Sequence, residues 1–264
     1  MPYRIDLHNA GDDTLDRLVE LGALDVEPSG QGGIAALMPD RVTLEQVARA
    51  LGVDDIPVSP AVARDAGSVW ILRPRPIRAG RIRIVPAHME TEPGAVRLID
   101  APAFGTGLHP TTALCLEALD AAVQFVTPEA MLDVGTGSGI LSLAALTLGV
   151  PRALAIDIEG DALQAAAENA RINGLSDRLQ LAHGGPDTIT GTWLLVLANV
   201  LAAPLIEMAP ALVRRVGHQG RLVLSGIPSS VEQEVERAYR HLGMRHVRAT
   251  SRAGWVALEM QASW

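Results

Sequence analysis

Residues 132–145 read LDVGTGSGILSLAA, and no other stretch restricts the possible folds of this chain as tightly. An apolar run closes on Asp133, the glycines Gly135, Gly137 and Gly139 alternate through a turn, and a helical apolar pattern begins at once. Glycine is needed where backbone takes a positive φ or comes close to a ligand. A strand that passes through such a turn straight into a helix opens a doubly wound α/β sheet, whose ligand sits at the carboxyl ends of the strands.

The surrounding pattern agrees. ALCLEALDAAV, ILSLAALTLG, DALQAAAENARING, APLIEMAPALVRRV and SVEQEVERAYRHLG have helical periodicity, while AMLDVG, RALAIDI, RLQLAHG, WLLVLANV and GRLVLSGI are strand-like runs. Helices and strands alternate from Phe104 onward, which demands right-handed crossovers in one sheet. RHVRATS and GWVALEMQ close the chain as an antiparallel pair. Only 3% of residues are aromatic, so Ala, Val, Leu and Ile must fill the core, as suits a sheet covered by helices on both faces.

The spacing of the turn selects its ligand. A dinucleotide fingerprint, GxGxxG, requires glycine at position 140, where Ile140 stands, and the spacing is GxGxG instead. A phosphate-binding P-loop is excluded, because no lysine is present in the motif. The second strand ends in Asp157, placed to meet ribose hydroxyls. Together these favour S-adenosylmethionine, which has no pyrophosphate for a helix N-terminus to hold. Gly135 and Gly137 stand where backbone approaches that cofactor. Asn199 follows the apolar run WLLVLA, at the face where a transferred methyl group arrives, and its amide oxygen can accept a hydrogen bond from an amine and aim the lone pair. A buried Asn capping the next helix is the plainer alternative.

Upstream, residues 1–62 read as a separate small unit. YRIDL, TLDRLVELG, ALDVEPS, GIAALMP and TLEQVARALG follow the order strand, helix, strand, strand, helix of a split βαβ, ferredoxin-like α+β domain. A capping box, Thr43 with Gln46, starts the second helix, whose apolar face is Leu44, Val47, Ala48 and Leu51. Residues 63–98 are rich in proline and arginine and read as a linker with a short strand. Five of its arginines, Arg73, Arg75, Arg78, Arg81 and Arg83, form either a solvated side or a contact with RNA or an acidic surface. The third unit is 99–264.

Composition narrows the function. A formal charge of −8 argues against a general nucleic-acid binder and fits a basic protein partner better. One cysteine, Cys115, excludes an intramolecular disulfide and a multi-cysteine zinc site, and no metal is expected. No run of about 18 apolar residues occurs and MPYRIDLHNAGDD lacks a secretory pattern, so a cytoplasmic protein with no membrane contact is expected.

One segment remains, AFGTGLHPTTALC at 103–115. It lacks the lysine of a phosphate cradle, and His109 has no visible acid or serine partner for a catalytic triad. Its glycines suit a loop folded closely over a cofactor, with Thr111 or Thr112 capping the helix that follows. With LDVGTGSGILSLAALTLG, AIDIEGDALQAAAENARINGLSDRLQL, LANVLAAPLIEMAPAL, RLVLSGI and RPIRAGRIRIVP, this segment resembles the bacterial ribosomal protein L-eleven (L11) methyltransferases, the PrmA family.

The resemblance covers about two thirds of the chain closely. It implies a class I methyltransferase domain, Rossmann-like with an antiparallel last strand, joined by a linker to a ferredoxin-like domain that recognises the substrate. The implied reaction is methyl transfer from S-adenosylmethionine to lysine ε-amines and the N-terminal α-amine of ribosomal protein L11, by a monomer. Implied cofactor contacts are Thr112, Gly135, Asp157 and Asn199. Phe104, Thr106 and His109 would belong to the covering loop, and Asn199 would also meet the amine. The chain departs from the family at Leu194, where aspartate is usual, at Asp100 and Ala101 in place of proline and glycine, and at His88 in place of tryptophan. The last two departures bear on linker geometry, and thus on the target. Two other readings are a lysine methyltransferase for another protein, of the electron-transfer flavoprotein β subunit type, and a non-catalytic ribosome-associated protein that binds the cofactor.

Overall fold

The apolar strand, glycine turn and helix lie at the centre of a seven-stranded sheet. The computed structural model describes residues 3–8, 14–23, 25–29, 33–53, 55–60, 76–90, 94–99, 109–252 and 254–264. In the large sheet, β8 (Ala130–Val134), β9 (Arg152–Asp157), β10 (Leu179–His183), β11 (Trp193–Asn199) and β12 (Val216–Pro228) pair in parallel. The closing strands β13 (Met244–Arg252) and β14 (Trp255–Ala262) are antiparallel, with β14 inserted beside β12. The order is β10-β9-β8-β11-β12-β14-β13. It reverses direction between β8 and β11, where a doubly wound sheet opens its ligand crevice.

Both faces of this sheet are buried, which explains why its central strands read as continuous apolar runs. On one face, helices α3 (Pro110–Phe125), α4 (Ile140–Thr147) and α5 (Gly160–Ile172) share a core with Met131, Leu195, Leu197 and Val223. On the other, α6 (Ala202–Val213) and α7 (Glu232–Arg240) pack on Leu132, Val196, Leu222 and Leu258.

The region expected to be a linker with one short strand differs. Residues 77–98 form β5 (Ile77–Ala79), β6 (Ile82–Pro86) and β7 (Ala95–Leu98), a small sheet whose Ile82, Ile84, Val96 and Leu98 are buried in the same core as α3 and α4. Alternation in RIRIVP is that of a half-buried strand, and the arginines mask it in composition. They do not act alike. Arg81 binds buried Asp120 of α3 through its Nε, at 2.7 Å, and through its backbone N–H, at 3.0 Å. Exposed Arg78 reaches the Gly80 carbonyl. Arg73 and Arg75 lie outside the described residues.

The N-terminal segment forms β1 (Tyr3–Leu7), α1 (Thr14–Glu20), β2 (Asp25–Ser29), β3 (Gly33–Met38), α2 (Leu44–Leu51) and β4 (Val58–Pro60). Its sheet order, β2-β3-β1-β4, is antiparallel throughout. The Thr43–Gln46 capping box is present. Leu44 does not join the apolar face: it is 41% exposed, because the capped first turn stays in solvent and α2 meets the core through Val47 and Leu51.

Removing the Asp120 carboxylate leaves the Arg81 amide without its partner, so Asp120→Ala should lower stability by about 1–2 kcal/mol in urea unfolding. Arg78→Ala should leave the midpoint where it is.

Candidate functional site

The turn after β8 is organised by a buried carboxylate. Helix α4 begins at Gly139, which has no side chain to cap it, and Asp133 of β8 supplies the missing acceptor. Its Oδ2 accepts from the Ser142 backbone N–H at 3.3 Å and from the hydroxyls of Ser142 and Thr136 at 2.8 and 2.7 Å. Burial pushes the Asp133 carboxyl up to about 6, against the pull of these hydrogen bonds and with the help of nearby Asp157.

This arrangement decides between ligands. In a dinucleotide site the turn amides and the helix N-terminus point at a pyrophosphate. Here the Gly135 and Thr136 amides donate to the Ile156 carbonyl, the Gly137 amide to Asp157 Oδ2 at 2.9 Å, and the Gly139 amide to Thr136. The first turn of α4 faces the protein's own carboxylate. The Gly135, Thr136, Gly137, Gly139 and Ser142 amides are thus engaged within the protein, and a second anion beside Asp133 would be repelled.

At the end of β9, Asp157 also accepts from the Glu159 amide, through Oδ1 at 3.0 Å. A carboxylate offers about four acceptor positions. Two therefore remain for ligand hydroxyls, as a ribose requires.

Asn199 ends β11, beside Ser225 of β12. Its Nδ2 donates to Thr112 Oγ1 at 3.2 Å, across 87 positions of sequence, while its buried Oδ1 has no hydrogen-bond partner among the described residues. The Thr112 hydroxyl holds the Nδ2 end of the amide, and the oxygen is left as the available acceptor. Ser225 donates to the Thr111 carbonyl at 3.0 Å, so the first turn of α3 is tied to both strand ends. Val200 is held between two glycines. A Cβ at Gly135, φ +70°, would lie 2.3 Å from Val200 Cγ1, and one at Gly226, φ +86°, would lie 2.1 Å from the Val200 carbonyl oxygen. That packing sets the distance between the glycine turn and Asn199.

The helix cap differs from expectation. His109, not Thr111 or Thr112, is the N-cap of α3, with Pro110 at the first helical position. A residue before proline is held extended, and proline's missing N–H costs nothing there, so the cap falls two residues before Thr111. His109 Nδ1 accepts from the Thr111 backbone N–H at 3.4 Å and lies 2.8 Å from its hydroxyl, which places the neutral ring's proton on Nε2. The ring meets Trp255 edge-on at 5.0 Å, and the Arg41 guanidinium of the N-terminal unit lies 5.0 Å from the Trp255 ring centre. Burial, then the charge of Arg41, lowers the His109 pKa to about 4.

Of the residues expected in the site, Thr112 and Asn199 come together, and Gly135, Gly137 and Asp157 form the adjoining turn. His109 is at the root of α3, and Phe104 and Thr106 lie outside the described residues. Ser142, Ser225, Arg41 and Trp255 were not anticipated. The lone polar Ser225 in LVLSGI, aligned with Asn199, was the one readable signal. Among the described residues no cluster of three or more metal-ligating side chains occurs, and no helix is long and apolar enough to cross a membrane.

Fold and site together define a class I methyltransferase: a parallel sheet closed by an inserted antiparallel strand, and a ligand turn with no phosphate cradle. The family model described as ribosomal protein L11 methyltransferase (PrmA) matches residues 57–263, and the chain belongs to that family. A ribosomal protein L11 methyltransferase of Azotobacter vinelandii is 44% identical over 194 residues, covering 72% of this chain and 65% of the relative. One of Pelobacter propionicus is 40% identical over 211 residues, covering 76% and 68%. The crystal structure of ribosomal protein L11 methylase from Lactobacillus delbrueckii subsp. bulgaricus aligns with TM-score 0.65 and 30% identity, over 72% of this chain and 99% of that one.

Neutral His109 stabilises the fold fully above pH 6.5, and that contribution is lost as pH falls toward 4, because the unfolded chain binds the proton more readily in this window. His109→Asn keeps a cap acceptor and removes the titration. Its thermal midpoint should therefore fall less than that of the parent between pH 6.5 and 4, with circular dichroism as the check.

Proposed function

We propose that this protein methylates the lysine ε-amines and the N-terminal α-amine of ribosomal protein L11, using S-adenosylmethionine. The observation that carries the reading is the buried Asn199 Oδ1, an acceptor with no partner among the described residues, held by Thr112 beside a turn whose amides are mostly engaged within the protein. A buried polar atom left unpaired is costly, and a ligand donor removes that cost. Family membership supports the substrate.

When bound, the cofactor supplies an electrophilic sulfonium methyl. Asp157 would hold its ribose hydroxyls, and Gly135 and Gly137 would lie against it. Asn199 Oδ1 accepts an N–H of the incoming neutral amine and directs the nitrogen lone pair, so orientation is the chain's main contribution. The amine sheds its proton to water, and no general base is required.

The N-terminal sheet with α1 and α2 would recognise the target, and Arg41 on Trp255 is one of its contacts with the catalytic unit. The net charge of −8 suits a lysine-rich protein and disfavours stable nucleic-acid binding. A cytoplasmic monomer fits this role.

With labelled cofactor and L11 from a methylation-deficient strain, Asn199→Ala should lose about 100-fold or more in transfer rate while affinity for S-adenosylhomocysteine changes by less than about threefold. An unchanged rate would remove Asn199 from the mechanism. Labelling of another protein in the lysate, with L11 untouched, would overturn the substrate.

A further inference from the structure

Helix α5 carries two buried or half-buried asparagines, Asn169 and Asn173, that the transfer chemistry does not use. Asn169 is fully buried. Its Nδ2 donates to the Ser138 carbonyl in the glycine turn at 2.8 Å, and its Oδ1 accepts from the Ile99 amide at 2.8 Å. One partner can only accept and the other can only donate, so the orientation of this amide is fixed by its neighbours.

Asn173, one turn later, accepts from the Arg97 amide at 2.8 Å and donates to the Arg97 carbonyl at 2.7 Å. Its Nδ2 also donates to the Asn169 carbonyl at 2.7 Å. The match is geometric. Four helical residues rise about 6 Å and two strand residues about 6.6 Å, so asparagines at i and i+4 can serve the outward-facing backbone of residues 97 and 99 in place of a neighbouring strand.

The clasp reaches the cofactor turn as well as the strand. The Ser138–Gly139 peptide has its carbonyl on Asn169 and its N–H on Thr136, at 2.9 Å, which fixes the peptide plane. Ala166 of α5 lies 3.0 Å from where a Gly139 Cβ would stand, so helix and turn are in direct contact. Leucine would fill the Asn169 site equally well if packing were all that was needed.

We propose that Asn169 is a positioning residue for cofactor binding: its carboxamide sets the plane of the Ser138–Gly139 peptide and locks it to the segment at Ile99. The inference rests on the S-adenosylmethionine reading and deepens it. Loss of the clasp disorders the turn and leaves Asn199, on another strand, in place. Binding then weakens while the rate at saturation is kept, a split that a loss of folded protein cannot mimic.

Asn169→Asp keeps an acceptor for Ile99 and removes the donor to Ser138. Its Kd for S-adenosylhomocysteine should rise about tenfold, with KM for the cofactor following and kcat toward L11 within about threefold. Asn173→Ala, which spares Ser138, should lower the thermal midpoint and leave that Kd within about twofold. In the unmutated protein, hydrogen exchange at the Ile99 amide should slow about tenfold on saturation with S-adenosylhomocysteine, since opening the clasp then costs binding energy. Unchanged exchange at Ile99, or an Asn169→Asp protein that binds as the parent does, overturns the proposal. Failure of the parent to bind S-adenosylhomocysteine overturns the cofactor reading itself, and is seen without any variant.

Discussion

The Asp133 carboxylate, buried at the start of α4, is the interaction on which the rest of the site depends. Ionised side chains are costly to bury unless hydrogen bonds surround them. Ser142 and Thr136 provide those bonds to Oδ2 and in doing so shape the turn between β8 and α4, while the buried Oδ1 has none among the described residues. The same carboxylate removes the helix N-terminus from use by a ligand's phosphate. A turn of similar sequence can thus serve a sulfonium nucleoside where its dinucleotide counterpart serves a pyrophosphate.

From that turn the geometry propagates by contact. Val200, held against Gly135 and Gly226, sets how far Asn199 stands from the glycine turn. Thr112 and Ser225 then tie the first turn of α3 to the ends of β11 and β12. His109 caps the same helix and leans on Trp255, over which Arg41 of the N-terminal unit lies. Contacts therefore run from Arg41 through Trp255, His109 and the first turn of α3 to Asn199.

Much of this was legible in the sequence, for a definite reason. Asp133, the glycines, Asp157 and Asn199 all sit at strand ends, and strand ends are where apolar runs stop, so their positions can be read from hydrophobicity alone. Partners across the fold cannot. Thr112 read as a cofactor contact or helix cap, and only the tertiary fold shows its hydroxyl holding the Asn199 amide. Between Ile77 and Leu98 three strands stand where the sequence suggested one, because arginine occupies their solvent side and their stability comes from packing on α3 and α4 rather than from local pattern. Leu44 obeyed its helical periodicity yet stayed exposed, because periodicity does not tell how far along a helix the contact with a sheet extends.

The central claim is that the Asp133-capped turn accepts S-adenosylmethionine and refuses a dinucleotide. Calorimetric titration of one preparation with S-adenosylhomocysteine and with NAD+, each up to about 1 mM, tests it directly, since that range detects even weak complexes. The structure predicts saturable binding of one S-adenosylhomocysteine per chain and no heat of binding from NAD+. Saturable binding of NAD+, or none of S-adenosylhomocysteine, would contradict it.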